Sequence, residues 1–525
     1  MSAVEYLATP EKTPHNCGIF GMYLREEMAD AIPRSVIGLI ALQHRGQEGA
    51  GAAITDAYGN VEMIKGSGLV KRVLTPEAIG SLKTQKPKMI VEQTRYSTSG
   101  GENAWQPYEE EGLVLVHNGN FTNPRDLLEQ LPSSLQKKAE SDSWIIHQSI
   151  LQEFRKTRNM KEAIINVVEQ CDGAYNLIIS GEGKMFGIRD PKGFHPMVLG
   201  ELPDGKGHVL ASEPTALMKA GARYIRPINP GEGVVIDDDG VHTFFMDERT
   251  DLKNLSQCLF ELIYFASPDS KIFGRYGTEV RRELGKSLAR KDAAKGFLPD
   301  IIVPIEHSGR FAGEGYAQEM QTILLETPEL FGLTDQEARK IVPTLQLQTA
   351  LIVNADAIRS FIMPDGQRQD IISTKHRVDT HALAGKRVAL IDDSIVKGPS
   401  AIGISQILSL YPLLMNDAPP AETHLRSSAA QIKFPCYMGV DFPDKKKLVA
   451  ARLKGDNKAI AKELGFDSVD YPTPLEMLAA AVGDERIRGL SEKDAFKMAG
   501  FCGACFTGEY PIQINTRRLF SKTQN

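Results

Sequence analysis

GKRVALIDDSIVKGPSAIGISQIL, residues 385–408, reads as a strand, an acidic pair, a turn and an amphipathic helix. This order sets a loop at the carboxyl end of a strand and against the start of a helix. Ligands bind there in open α/β sheets, and the free N–H groups of a helix end suit phosphate. Asp392 and Asp393 in the loop are acceptors for ribose hydroxyls or a Mg²⁺-bound diphosphate. LIDDS alone also fits a strand followed by an Asp-capped helix. Working outward, PDIIVPI (299–305) and ETHLRSS (422–428) are further short apolar strands. The chain beyond about residue 255 therefore alternates helix with strand, the pattern of a parallel sheet with crossover helices.

The preceding half has a different texture. CGIFGMYL (17–24), GAGAAITD (49–56), KMIVEQTRYS (88–97), GLVLVHNG (112–119), GAYNLIIS (173–180), KMFGIRD (184–190) and HVLASE (208–213) carry the β-branched and aromatic content of strands. Helical spacing of apolar residues appears at 32–43, 140–156 and 160–170. Many strands with few helices imply stacked sheets flanked by helices. At 525 residues the chain exceeds what one hydrophobic core organises, so two large domains are expected.

Composition narrows the function class. A 42% apolar and 24% charged chain is ordinary for a soluble protein, and no apolar run approaches the ~20 residues of a membrane span. The net charge of −6, without a dense Lys/Arg block, argues against nucleic acid and leaves small anionic ligands open. Residues 1–16 contain Glu5, Pro10 and Glu11 and lack the apolar stretch of a secretory signal, so a cytoplasmic protein is expected. The six cysteines, Cys17, Cys171, Cys258, Cys436, Cys502 and Cys505, are too sparse for a disulfide framework. In a reducing compartment they divide among nucleophile, metal ligands and core.

Five polar motifs sit at strand ends: NCGIFG (16–21), HRGQEGAG (44–51), TRYSTSG (94–100), HNGN (117–120) and SDS (141–143). Singly each has a plain explanation; HNGN is a good turn and SDS a good helix N-cap before WIIHQSIL. Together, in this order, they resemble the class II glutamine amidotransferases of the N-terminal-nucleophile group. The resemblance implies an αββα sandwich and removal of residues 1–16, which leaves Cys17 first. The chemistry suits the residue types, because an α-amino group titrating near ~7.7–8.0 can take the thiol proton. By the same resemblance, Asn118 and the Gly119 N–H form the oxyanion hole, Arg95 grips the α-carboxylate of glutamine, and Asp142 holds its α-ammonium. Arg45 and Gly46 would shape the pocket beside the thiol. Gln93 stands where this family often has His.

Residues 385–408 resemble the phosphoribosyl-pyrophosphate loop of type I phosphoribosyltransferases. CLFELIYFASPDSKIFGRYG (258–277), FPCYMGVDFP (434–443), LGFDSVDYPTPLEML (464–478) and FCGACFTGEYP (501–511) extend the likeness to the glutamine phosphoribosylpyrophosphate amidotransferases over 17 to about 511. The family implies a 1–16 propeptide, a glutaminase over 17–250, a phosphoribosyltransferase-like domain over 251–480 and a cysteine-bearing C-terminal segment over 481–525. It also implies glutamine and phosphoribosyl pyrophosphate as substrates, Mg²⁺ as cofactor, nucleotide feedback inhibitors and a homo-oligomer, dimer or tetramer. Cys258, Cys436, Cys502 and Cys505 coincide with the ligands of members that carry a [4Fe–4S] cluster; soft thiolates would also suit zinc. Cys171 has no such match and reads as core.

The phosphoribosyl motifs depart from the family pattern. The loop runs Lys397-Gly398-Pro399-Ser400 where Arg-Gly-Thr-Thr is usual, so proline removes one N–H and lysine lacks a planar fork. Glu306-His307-Ser308-Gly309 replaces Pro-Asp-Ser-Gly, and the added carboxylate needs Mg²⁺ or His⁺ beside it. Ser308, Lys397, Gly398 and Ser400 remain the expected phosphate and diphosphate contacts. The closing segment, 353–364, keeps Arg359, Phe361 and Pro364, and apparent insertions lie at 326–348, with a capping-box start at Thr334, and near 411–420. The residues alone thus leave open two other readings, ammonia delivery to a different sugar phosphate and a regulatory or non-catalytic paralogue.

Overall fold

Alternate residues of the strand Gly18–Leu24 point to opposite faces, and both faces are covered. Ile19 and Tyr23 pack with Val91, Val116, Ile178 and Leu210 in a core shared by two sheets. Phe20, Met22 and Leu24 pack on the other side with Ile32 and Leu39 of the helix Ala31–Ala41. This double burial is why the strand reads as continuously apolar. The computed structural model of the protein describes residues 17–84, 86–96, 104–353, 376–442 and 444–519.

The first antiparallel sheet has seven strands in the order Arg223–Pro227, Val198–Glu201, Gly207–Ala211, Gly18–Leu24, Pro87–Arg95, Gly49–Asp56, Val61–Ser67. The second has six, Gly240–Met246, Glu232–Asp237, Lys184–Arg189, Gly173–Gly181, Leu113–Phe121, Tyr108–Glu110. Helices Asp142–Thr157 and Met160–Val168 cover its outer face through Ile146, Ile150, Ile164 and Val168. The result is the expected helix–sheet–sheet–helix sandwich. Ser141 caps the helix Asp142–Thr157, accepting from Trp144 N at 3.0 Å, so the SDS motif is an N-cap as well as a site motif.

Beyond it, Ile301–Pro304, Arg387–Asp392, Glu422–Ser427 and Ser468–Asp470 form a parallel sheet in that order. Helices Arg310–Glu326 and Pro399–Met415 make crossovers, as the alternation of helix and strand implies. Residues 326–348 contain the helix Asp335–Ile341 with its Thr334–Glu337 capping box complete, and Ala338 and Leu345 pack against Met320 and Leu324. Over 411–420 the preceding helix runs on to Met415, past Pro412. Near the C-terminus Phe501–Cys502 pairs in parallel with Gln257–Cys258, setting Cys502 opposite Cys258. Among the described residues no helix is long and apolar enough to cross a membrane.

Candidate active sites

The inner-face alternation that places Ile19 and Tyr23 in the shared core also brings Cys17 to the open end of that core. Its pocket is lined by Arg95, Tyr96, Ala104, Gln106, His117, Gly119, Ser141, Asp142 and Ser143. The Cys17 thiol donates to the Tyr96 carbonyl at 3.5 Å. Burial pushes the thiol pKa up and Asp142 adds to this, while Arg95 and Arg45 pull the other way. A thiol so held needs a base close by to become a nucleophile.

Asn118 follows Val114 and Val116 on the inner face of its strand, and it is fully buried with neither its Oδ1 nor its Nδ2 hydrogen-bonded. Gly119, next along, has φ 139°, and a Cβ there would lie 2.0 Å from the Ala174 carbonyl oxygen. Only glycine lets this peptide turn toward the pocket. Asp142 is fixed by N–H donors, Ser143 at 2.8 Å and Phe121 at 3.2 Å. Arg95 lies over Trp105 with 5.2 Å from guanidinium carbon to ring centre. Gly46 allows the backbone of Arg95 to pass, since a Cβ there would stand 2.7 Å from the Arg95 carbonyl carbon. Gly46 therefore acts through Arg95.

Arg45 is behind the pocket rather than in it. Its Nε donates to the Cys17 carbonyl at 3.3 Å, and its other nitrogens reach Glu213 and Glu261. Its contact with the pocket runs through the Cys17 backbone. Gln106 is a pocket residue outside the motifs, and His117 and Ser143 lie within HNGN and SDS without having been given a role there. They form one chain of hydrogen bonds: Ser143 Oγ lies 2.9 Å from His117 Nδ1 and accepts from Gln106 Nε2 at 3.0 Å. Gln93 donates to the His117 carbonyl at 2.8 Å, tying the variant position to the strand that carries Asn118. A segment from far along the chain lines an adjoining cavity that shares Asp142 with this pocket. In the loop 436–442, Tyr437 O accepts from Asn120 at 3.0 Å and Asp441 accepts from the Tyr96 hydroxyl at 3.2 Å.

The phosphoribosyl motifs converge at the carboxyl ends of Ile301–Pro304 and Arg387–Asp392. Asp393 is buried; its carboxylate accepts from Ser308 and from Ser394 Oγ at 2.6 Å. Burial raises its pKa against the pull of Ser308, Ser394 and Arg281. Asp392 is more open, and its Oδ1 accepts from Asp393 N at 2.9 Å. Gly309 must be glycine, because a Cβ there would lie 2.1 Å from the Ile391 carbonyl oxygen. Gly398, at φ 105°, precedes the helix starting at Pro399, with Lys397 half-buried and Ser400 exposed beside it. His307 Nδ1 lies 3.2 Å from the Glu306 carboxylate. Segment 354–364 lies outside the described residues, as do residues 1–16 and 97–103.

Cys258, Cys436, Cys502 and Cys505 are free thiols. Burial raises the pKa of each, and Cys505 is raised further by the other three. Met438 N donates to Cys436 Sγ at 3.3 Å. Among the described residues, however, no group of three or more His, Cys, Asp or Glu side chains is arranged to hold a metal ion. The influence of the other three on Cys505 puts the four thiols in one neighbourhood. Cys171 is buried in the core, as expected.

Residues 93–219 match the glutamine amidotransferase domain family. The chain is 33% identical to the amidophosphoribosyltransferase of Pyrococcus horikoshii, covering 94% of this chain and 96% of that one. It is 32% identical to that of Methanocaldococcus jannaschii over 96% of this chain and the whole of the other. A solved structure of glutamine phosphoribosylpyrophosphate amidotransferase from B. subtilis, complexed with ADP and GMP, superposes with TM-score 0.75 at 30% identity, covering 95% and 98% of the two chains. Another, of the allosteric regulatory enzyme of purine biosynthesis, gives 0.76 at 29%, covering 97% and 100%.

Proposed function

The chain belongs to the amidophosphoribosyltransferases, glutamine-dependent enzymes of the first step of purine biosynthesis, and on that footing we propose how its own residues share the reaction. Glutamine, 5-phosphoribosyl 1-pyrophosphate and water give 5-phosphoribosylamine, glutamate and pyrophosphate. The observation that supports the glutaminase assignment is the buried, unbonded Asn118 amide, held between His117 and Gly119, both of which line the Cys17 pocket. With residues 1–16 removed, the Cys17 α-amine takes the thiol proton and sulfur attacks the amide carbon of glutamine. Asn118 Nδ2 and the Gly119 N–H stabilise the oxyanion. The C–N bond breaks, the amine's proton goes to the leaving nitrogen, and water cleaves the thioester to release glutamate. Arg95 and Asp142 hold the two charged ends of the substrate.

Residues 17–250 would be the glutaminase and 251–480 the acceptor domain. In the latter, ammonia attacks C1 of the ribose as the C1–O bond to pyrophosphate breaks. Gly398, Ser400 and Lys397 hold the 5′-phosphate at the helix start, and Ser308 faces the diphosphate. Asp392, the open member of the acidic pair, and Asp393 are the residues that would hold Mg²⁺, which when bound screens the leaving charge. The four thiols would hold a [4Fe–4S] cluster, as their match to cluster-bearing members of the family implies and as soft thiolate ligands suit. When bound it supplies a cross-link between the start, middle and end of the second half. Nucleotide feedback and homo-oligomer formation are proposed with it, and a nucleotide titration and light scattering test them.

Two measurements test the assignment. The intact mass should begin at Cys17, and Cys17→Ala should lose pyrophosphate release with glutamine while keeping it with ammonium. A fully active chain still starting at Met1 would sink the amine-as-base mechanism. Anaerobic protein should contain iron and acid-labile sulfide; one zinc per chain instead would overturn the cluster.

A further inference from the structure

Arg45 and Glu261 belong to opposite halves of the chain, yet both are fully buried and share one set of hydrogen bonds. Burying an ion pair costs desolvation of both partners, so it survives where every polar atom is matched. The matching here is dense. Arg45 Nη2 donates to Glu261 Oε1 at 2.6 Å and Nη1 to Glu261 Oε2 at 3.0 Å. Nη1 also donates to Glu213 Oε1 at 2.5 Å, and Nε to the Cys17 carbonyl. The same Oε1 of Glu261 also lies 3.0 Å from His195 Nδ1, whose ring Nε2 lies 2.7 Å from the Met438 carbonyl oxygen. A carbonyl only accepts, so Nε2 carries a proton there.

Both arms of this network end on main chain at the glutaminase centre. One arm ends on the carbonyl of Cys17. The other ends on Met438, whose neighbour Gly439 lies against Gly119: a Cβ on Gly439 would stand 3.1 Å from Gly119 Cα. We infer that Glu261 is a positioning residue of the glutaminase, setting the Cys17 backbone through Arg45 and the Gly119 peptide through His195 and the Met438–Gly439 turn. The inference rests on the reading of Cys17 as nucleophile. It means that the glutaminase constellation is completed by a residue outside the glutaminase sandwich, and that nucleophile and oxyanion peptide share one carboxylate as their common reference.

The test compares the full-length parent with Glu261→Gln, Glu261→Asp and Cys17→Ala, each assayed for glutamate release from glutamine and for pyrophosphate release with ammonium. Glu261→Gln should lower kcat for glutamine by about 10- to 100-fold, the usual cost of slight misplacement at a reacting centre. Its glutamine KM should stay within about threefold and its ammonium-dependent activity within about twofold of the parent, a split that uniform weakening would not produce. Glu261→Asp, which keeps the charge, should recover part of the loss. Unchanged glutamine turnover in Glu261→Gln overturns the inference. So does a fall of both activities in step, which signals damaged folding, or a rise in KM at constant kcat. If Cys17→Ala keeps glutamine turnover, the nucleophile reading itself fails, whatever Glu261→Gln does.

Discussion

At the scale of single residues, Asn118 and Glu92 show how burial separates function from structure. A buried amide with no partner costs roughly 1–3 kcal/mol per lost hydrogen bond, and Asn118 bears that cost at both polar atoms. Asn118→Ala should therefore fold well and lower kcat for glutamine by about 10²–10³-fold with little change in KM. Steady-state glutamate release checks it, and a pure KM effect would remove Asn118 from the oxyanion role. Glu92 is the opposite case, far from the chemistry. Its Oε1 accepts from Ser35 at 3.0 Å, its Oε2 has no partner, and burial pushes its pKa up to about 8. Because the folded value exceeds the unfolded one, the stability it contributes is full below the ordinary carboxylate range and is lost as pH rises through the folded value. Glu92→Gln stays neutral, so its advantage in thermal midpoint over the parent should widen from pH 6 to pH 9, by something of the order of a few kcal/mol in stability. A pH-independent difference would mean that Glu92 does not titrate there.

Among elements, the informative one is the loop 436–442. It is pinned at Tyr437 by Asn120, at Met438 by His195 and at Asp441 by Tyr96. A loop fixed at three points cannot retreat, and Gly439 sits at φ 106° against Gly119. Gly439→Ala should cost about 1–3 kcal/mol in backbone strain and should depress glutamine turnover while sparing ammonium-dependent pyrophosphate release. Equal loss of both would show a global effect. Several strands missed in the sequence share a character. Val61–Ser67, Arg223–Pro227 and Gly240–Met246 are edge strands with charged or half-exposed residues, so their apolar alternation is too weak to read. Val198–Glu201 and Glu232–Asp237 are central and buried, yet too short and too close to glycine and proline to stand out, whereas the longer central strands were legible.

For the whole molecule, the short helical segment Glu261–Phe265 lies between the two sites. Arg45 holds it from the glutaminase side. On the other side Arg281 donates to the carbonyls of Leu262 at 3.2 Å, Tyr264 at 2.9 Å and Ala266 at 2.7 Å, and its charge faces Asp393. Arg281→Met removes the cation that lowers the Asp393 pKa, which shifts this carboxyl toward its protonated form. The KM for phosphoribosyl pyrophosphate in the ammonium assay should rise. The rise should grow as pH is lowered, since lower pH favours the protonated acid. A pH-independent KM would separate Arg281 from Asp393. This pattern is the reverse of that expected for Glu261→Gln, which should leave the acceptor side intact.

The sequence by itself determined the two architectures, the family and the pocket residues Cys17, Arg95, Gly119 and Asp142, because short motifs at strand ends carry chemistry that local order preserves. It also placed Asp392, Asp393 and Ser308 together through a strand–turn–helix whose ligand end is a local property. Only the tertiary structure decided that Arg45 stands behind Cys17, that Glu261 answers it across 216 residues of chain, and that the loop 436–442 packs on Asn120 and Tyr96 beside the Cys17 pocket. Those assignments depend on which buried charges meet after the halves dock. A carboxylate within an apolar run such as CLFELIYF has no periodicity that announces its partner, whereas desolvation makes that partner obligatory once both are inside.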